Sequence, residues 1–289
     1  MSQPNDNQND DLQPVLRGFE KEFGPRREDE PAPVYGEARP IPQQQSYRLS
    51  LPLGRPRAVW ALLAINVIVF VVPELLSLLG VRIAGFPPDI VIRALGAKDN
   101  ERIAVDGEYY RFLTAMFLHG GWVHLGFNAY ALYALGPEAE RIYGTARFLA
   151  LYFFAGLAGG VTSYALNPSP SVGASGAIFG LIGGLAAFYY VSRGLLGEVS
   201  RQQLGSLITV IMINLFIGFS SPVIDNTAHI GGLMGGAAIG VLLAPRFVVD
   251  ERLYPPAVVR RYQPWAWPGA LGLLVMLLVL AMAINPPIQ

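Results

Sequence analysis

Seven apolar stretches between Ala58 and Ile284 restrict this chain more than any other feature in it. They run approximately over 58–79, 121–135, 148–166, 175–191, 204–219, 228–243 and 266–284. A hydrocarbon core of about 30 Å takes roughly 20 helical residues to cross. In lipid every backbone N–H and C=O must bond inside the protein, so a spanning segment is a helix or a strand of a closed barrel. Barrel strands alternate apolar and polar residues. These stretches are continuously apolar and rich in glycine. The expected fold class is therefore all-α, a polytopic membrane protein.

Composition narrows the function classes. Only 15% of the 289 residues are charged and 52% are hydrophobic, against about 25% charged in soluble domains. The net charge is zero, so no basic face points to nucleic acid. Cysteine is absent, which excludes disulfides, a thiolate metal site and a cysteine nucleophile. No motif calls for a cofactor. Residues 1–55 are rich in Pro, Gln, Asn, Asp, Glu and Arg; they carry too little apolar surface to offset the entropy of ordering and read as a disordered tail. Leu12, Val15, Leu16 and Phe19 give at most a weak amphipathic turn there. No cleavable signal is visible, so the first span is expected to direct its own insertion.

Basic residues suggest an orientation. Arg55 and Arg57 precede the first span, Arg141 and Arg147 lie between spans two and three, and Arg193 and Arg201 lie between four and five. Arg246, Arg252, Arg260 and Arg261 separate six from seven, whereas the turns after spans three and five carry no Lys or Arg. This places the N-terminus in the cytoplasm and the Ser175 end outside. Residues 80–111 are the exception, holding Arg82, Arg93, Lys98 and Arg102 among acidic neighbours. Their 90–95 stretch reads as a short interfacial helix, with Arg111 as an anchor at the interface.

Polar residues inside membrane spans are costly and so are functional candidates. Ser175 opens span four in Gly173-Ala174-Ser175-Gly176, just where a helix N-terminus presents free N–H groups. His229 opens span six in Ala228-His229-Ile230-Gly231-Gly232. Both spans run in the same direction, so serine and imidazole lie at similar depth. Gly176, Gly180 and Gly184 recur every four residues, as do Gly232, Gly236 and Gly240. Facing stripes of this kind let helix backbones approach closely and would bring Ser175 within hydrogen-bond reach of His229. In span two, His124 and Asn128 share a face at i, i+4 and offer N–H donors to an oxyanion. A zinc site from His119, His124 and His229 is disfavoured, because His119 and His124 do not share a face. Asp225 reads as a helix N-cap rather than a third triad member. Glu138, Glu140 and Arg141 fall at the opposite end and read as structural.

Together these residues resemble the rhomboid family of intramembrane serine proteases. The resemblance rests on Gly173–Gly176, on Ala228–Gly232 with Gly236, on His124-x-x-x-Asn128, and on Glu140-Arg141-Ile142-Tyr143-Gly144. Tyr110-Arg111 stands where the family has a Trp-Arg pair. The resemblance implies a six-helix core over 56–247, a linker and seventh helix over 248–289, and a cytoplasmic tail over 1–55. It implies a Ser175–His229 dyad without a required carboxylate, an oxyanion hole from His124, Asn128 and the Ser175 N–H, and no metal. Gly173, Gly176, Gly232 and Gly236 would support the site. Phe179, where the family often has Tyr, would stack on His229. The implied partners are transmembrane protein substrates in the lipid bilayer, cut near the outer surface of a bacterial inner membrane. Residues 219–227 would cap the site and move with span five to admit substrate. Two other classes compete. Non-catalytic rhomboid-like binding proteins usually lack the serine or the histidine, and both are present. A solute transporter predicts inverted repeats, and none is visible.

Overall fold

The first membrane helix, α1 (Ala58–Leu78), has no side chain of its own at its N-cap. Its free N–H groups are met by a carboxylate from another helix: Glu140 accepts from Ala58 N at 3.0 Å and Val59 N at 2.9 Å, and from the Thr145 hydroxyl at 2.7 Å. Glu140 is fully buried. The computed structural model describes residues 51–288, so the turn around Leu12–Phe19 and nearly all of the 1–55 tail lie outside the described residues.

Short helices follow α1: α2 (Pro88–Gly96), α3 (Asn100–Ala104) and α4 (Arg111–Thr114), the last continued by a 3₁₀ turn over Ala115–Phe117. Then come α5 (Trp122–Tyr143), α6 (Thr145–Leu166), α7 (Ser175–Val191), the short α8 (Arg193–Leu196), α9 (Glu198–Phe219) and α10 (Asn226–Leu243). A two-stranded antiparallel hairpin, β1 (Arg246–Asp250) and β2 (Ala257–Arg261), leads to α11 (Ala266–Ala283). Helices α1, α6, α9, α10 and α11 are long and apolar enough to cross a membrane, and α7 is a shorter apolar helix of 17 residues. At 1.5 Å per residue α7 spans about 25 Å, less than a bilayer core. The chain is a helical, multi-pass integral membrane protein.

Several boundaries differ from the sequence expectation. The second span continues past 135, through Pro137, to Tyr143. Its last turn is kept helical by packing, with Ala139, Ile142 and Tyr143 buried beside Glu140. The Tyr143 hydroxyl donates to the Gly184 carbonyl at 2.7 Å. Gly144, at φ 78° and ψ 156°, turns directly into α6, a conformation that suits glycine. The fifth span starts earlier, at Glu198, which pairs with Arg201 at 3.1 Å. The hairpin is a departure from an all-helical reading. It pairs Val248 with Val259 and Phe247 with Arg260, and seats Phe247 edge-on against Phe188 at 5.9 Å. Arg111, expected to anchor residues 80–111 at the interface, is fully buried. It donates to the Ala97 and Ala94 carbonyls at 2.9 and 3.1 Å and pairs with Glu108 at 2.6 Å, closing the C-terminus of α2.

The centre of the bundle is α6, α7 and α10. Lipid tails are as apolar as leucine, so backbone proximity rather than hydrophobicity must hold such helices together. A Cβ on Gly232 would collide with the Gly176 carbonyl, one on Gly236 with the Gly180 backbone, and one on Gly240 with Gly184 Cα. The two glycine stripes therefore face each other, rung for rung. Gly159 of α6 completes the contact, where a Cβ would sit 2.7 Å from the Ala228 carbonyl oxygen.

Candidate active site

The α6–α7 connection sets up the start of α7. Helix α6 stops at Leu166, just before Asn167-Pro168, because a residue preceding proline avoids the helical region. Gly173 then takes φ 130°. A Cβ there would lie 2.7 Å from His124 Nε2, so only glycine admits the imidazole. The N-cap position falls to Ala174, which leaves the Ser175 hydroxyl free of capping duty.

That hydroxyl meets His229. The Ser175 Oγ to His229 Nε2 distance is 2.9 Å. Their helices are the two joined by the glycine stripes, and the contact follows from that register. His229 is 8% exposed, and its ring lies flat on Phe179, with centroids 4.3 Å apart and planes at 12°. Its Nδ1 is buried and has no hydrogen-bond partner among the described residues.

Asp225 caps α10. Its carboxylate accepts from Ala228 N at 3.1 Å and from the hydroxyls of Thr227 and Ser163, each at 2.5 Å. Burial alone would raise its pKa. The hydrogen bonds from Ser163, Thr227 and Ala228, with Ser171 a smaller contributor, outweigh that and hold it below the ordinary carboxylate range.

His124 and Asn128 lie on one face of α5, as their spacing requires. His124 Nδ1 accepts from Gly120 N at 3.2 Å, so in the neutral ring the proton sits on Nε2, the nitrogen beside Gly173. Asn128 is buried and gives one amide N–H to the His124 carbonyl at 3.0 Å. His119 packs edge-on against His124 at 5.2 Å. Burial, and then His124, pull His119 down to about 4, so it is neutral at physiological pH. Among the described residues no three His, Cys, Asp or Glu side chains converge as a metal site.

A Rhomboid domain model matches residues 106–246. The rhomboid protease GluP of Bacillus subtilis is 40% identical over 198 residues, covering 67% of this chain and 37% of that protein. RHOMBOID-like protein 5 of Arabidopsis thaliana is 36% identical over 171 residues, covering 57% and 54%. The putative rhomboid protease YdcA of Bacillus subtilis is 34% identical over 151 residues, covering 52% of this chain and 73% of that protein. The chain belongs to the rhomboid family. It spans only about a third to a half of the first relatives' length. The matched rhomboid segment contains His124, Asn128, Ser175 and His229 but not α11.

One part of this rhomboid's site region is missed by motif reading. Lys98 and Asn100 are buried to 2% exposure and bind the loop that precedes Ser175. The available signal is composition: only two lysines occur in the whole sequence, and Lys98 is one of them.

Proposed function

We propose that this chain is an intramembrane serine endopeptidase that cleaves transmembrane protein substrates, with Ser175 as nucleophile and His229 as general base. The observation that carries this reading is the 2.9 Å contact between Ser175 Oγ and His229 Nε2 at the start of α7. A neutral imidazole with its proton on Nδ1 leaves Nε2 free to accept the serine proton. Oγ then attacks the scissile carbonyl carbon. Negative charge moves to the carbonyl oxygen, where the Ser175 backbone N–H and the His124 Nε2–H are available as donors. The second N–H of Asn128 is a further candidate. Collapse of the intermediate expels the amine, which takes its proton from His229. Water then attacks the acyl ester by the same route in reverse and restores the serine. Asp225 takes no part in these transfers, and no cofactor or metal is invoked.

The arginine distribution favours a cytoplasmic N-terminus and a site opening to the outside of a bacterial inner membrane. Ser175 opens α7 at the end this orientation puts outside, so cleavage falls near that outer surface. The test is cleavage of a transmembrane peptide in proteoliposomes by wild type, Ser175→Ala and His229→Ala. Loss of cleavage in both variants at unchanged fold supports the dyad. Equal cleavage by all three removes it, and no cleavage by any supports a non-catalytic binding role.

A further inference from the structure

One buried cation holds the loop that delivers Ser175 to α7. The Lys98 ammonium has three protons and three acceptors: the Ser169 carbonyl at 2.7 Å, the Asn167 carbonyl at 2.9 Å and Asn100 Oδ1 at 3.1 Å. Its main chain pairs with Ser171 in both directions, at 2.9 and 3.0 Å. Asn100 extends the hold. Its amide nitrogen contacts the carbonyls of Asn167 and Tyr164, each at 3.2 Å, and of Pro287 at 2.7 Å, beyond the end of α11. Gly173 N donates to the Ala115 carbonyl at 2.9 Å. Among the described residues no carboxylate forms an ion pair with Lys98. A buried ammonium is costly unless fully bonded, and two of this one's three acceptors are loop carbonyls.

We propose that Lys98 is a positioning residue for Ser175: its ammonium fixes residues 167–174, and through them the start of α7, so that Oγ stays within reach of His229 Nε2. This role rests on the protease reading above. A displacement of about 1 Å at a reacting atom can cost about a hundredfold in rate, and before Ala174 this loop has no buried apolar side chain to hold it. Burial lowers the lysine to about 8, against the opposing pull of the Asp225 and Asp99 carboxylates. Those are the charged groups facing it, from the start of α10 and from its own segment. The Tyr164 phenol lies at the end of α6, and neither 167–174 nor 284–288 contains a titratable side chain. Above pH 8 the ammonium loses a proton, three donors become two, and one acceptor loses its partner.

The experiment compares the full chain with Lys98→Met and Lys98→Arg in nanodiscs. It reads amide exchange over 167–174, fluorophosphonate labelling of Ser175, and kcat and KM from pH 6 to 10. Lys98→Met is expected to raise loop exchange about tenfold or more and to cut kcat and labelling about 10- to 100-fold, with KM within about twofold. Its activity should show no limb near pH 8. Lys98→Arg should keep the loop protected and move the alkaline limb upward, because guanidinium does not titrate there. Wild-type exchange and kcat in Lys98→Met would overturn the role. So would faster exchange with labelling unchanged, which would show a loop held but not coupled to the serine. If Lys98→Met does not fold, Asn100→Ala removes one acceptor of the ammonium and should raise loop exchange and cut labelling with the alkaline limb kept; wild-type exchange and labelling there would overturn the role. Failure of the protease reading looks different: wild type itself would match Ser175→Ala in cleavage and labelling, and the positioning role would fall with it.

Discussion

The carboxylate of Asp225 lies one helical turn ahead of His229 and does not reach its imidazole. It accepts from Ser163, Thr227 and Ala228, while His229 Nδ1 stays without a hydrogen-bond partner among the described residues. A triad carboxylate fixes the tautomer of its histidine, and losing it costs about 10⁴-fold in kcat. Asp225→Asn should therefore keep activity within about tenfold of wild type, far from the triad case. Asparagine keeps a capping oxygen, so the stability cost of a lost N-cap belongs to Asp225→Ala, at about 0.5–2 kcal/mol. Because folding depresses this carboxyl, its contribution is present above the ordinary carboxylate pKa and is lost as pH falls through the folded value. Thermal unfolding followed from pH 7 down to 3 should show a steeper acid loss in wild type than in Asp225→Asn. A drop of several thousandfold in kcat for Asp225→Asn would make it a triad member after all.

In the proposed dyad the ring of Phe179, not a carboxylate, would orient His229. That ring is stacked on His229 at 4.3 Å and is itself 5% exposed, so the imidazole cannot tilt without opening the core. Ring pairs of this kind contribute about 0.5–1.5 kcal/mol beyond burial. Phe179→Leu should lower kcat/KM about two- to twelvefold. Phe179→Tyr keeps the ring and should stay within about twofold. Steady-state cleavage of one transmembrane peptide by the three proteins decides this. Equal rates for Leu and Phe would leave the stack without a catalytic consequence.

Much of this arrangement is readable from the residues, for a physical reason. Membrane spans alternate direction, so Ser175 and His229, each opening an even-numbered span, share one end of the bundle. A four-residue glycine period can mark a close helix contact, and two such stripes starting near those residues suggest the pair. What is not readable depends on distant backbone. Two of the three acceptors of Lys98 are carbonyls 69 and 71 residues away, and a carbonyl leaves no trace in side-chain identity. The same holds for Glu140, whose partners are the N–H groups of Ala58 and Val59. Charge at Glu138, Glu140 and Arg141 suggests that span two ends near 135, yet burial against α1 carries the helix to Tyr143. The hairpin escapes notice because its strands are only five residues each and carry arginine at the end where Arg246 pairs with Arg261.

The glycine register makes a sharp prediction about the dyad distance. A Cβ on Gly236 would strike the Gly180 carbonyl oxygen, Cα and carbonyl carbon, all backbone atoms that cannot rotate away. Gly236→Val must therefore push α10 off α7. Overpacking of this sort costs about 1–3 kcal/mol. The separation should remove the hydrogen bond between Ser175 and His229 before it unfolds the bundle. Fluorophosphonate labelling should fall at least about tenfold, the effect of about 1.4 kcal/mol. Gly272→Val in α11 is the control, since nothing lies within 4 Å of its Cβ position. Normal labelling of Gly236→Val would mean that the stripe does not set the distance.

On the protease reading substrate would reach Ser175 sideways from lipid, and of the five long apolar helices α9 is the least buried. Only Ser200, Leu207 and Gly218 are buried along its 22 residues, whereas Met212, Ile213, Phe216 and Phe219 all stand exposed. By contrast α7 buries 13 of its 17 residues. The loop after α9 is tied through Asn226, whose amide approaches the Leu215 carbonyl at 3.4 Å, a long contact for a hydrogen bond. Elements that move for function are drawn from the weakly packed end of a structure. If α9 swings away from α5 to admit a transmembrane segment, tethering them should block entry while leaving the dyad intact. The chain has no cysteine of its own, so one can be placed near the Phe219 end of α9 and one near the Trp122 end of α5. A short bifunctional maleimide should then cut cleavage of a transmembrane peptide about tenfold or more, with fluorophosphonate labelling of Ser175 within about twofold. Cleavage unaffected by a verified cross-link would place the entry elsewhere on the bundle.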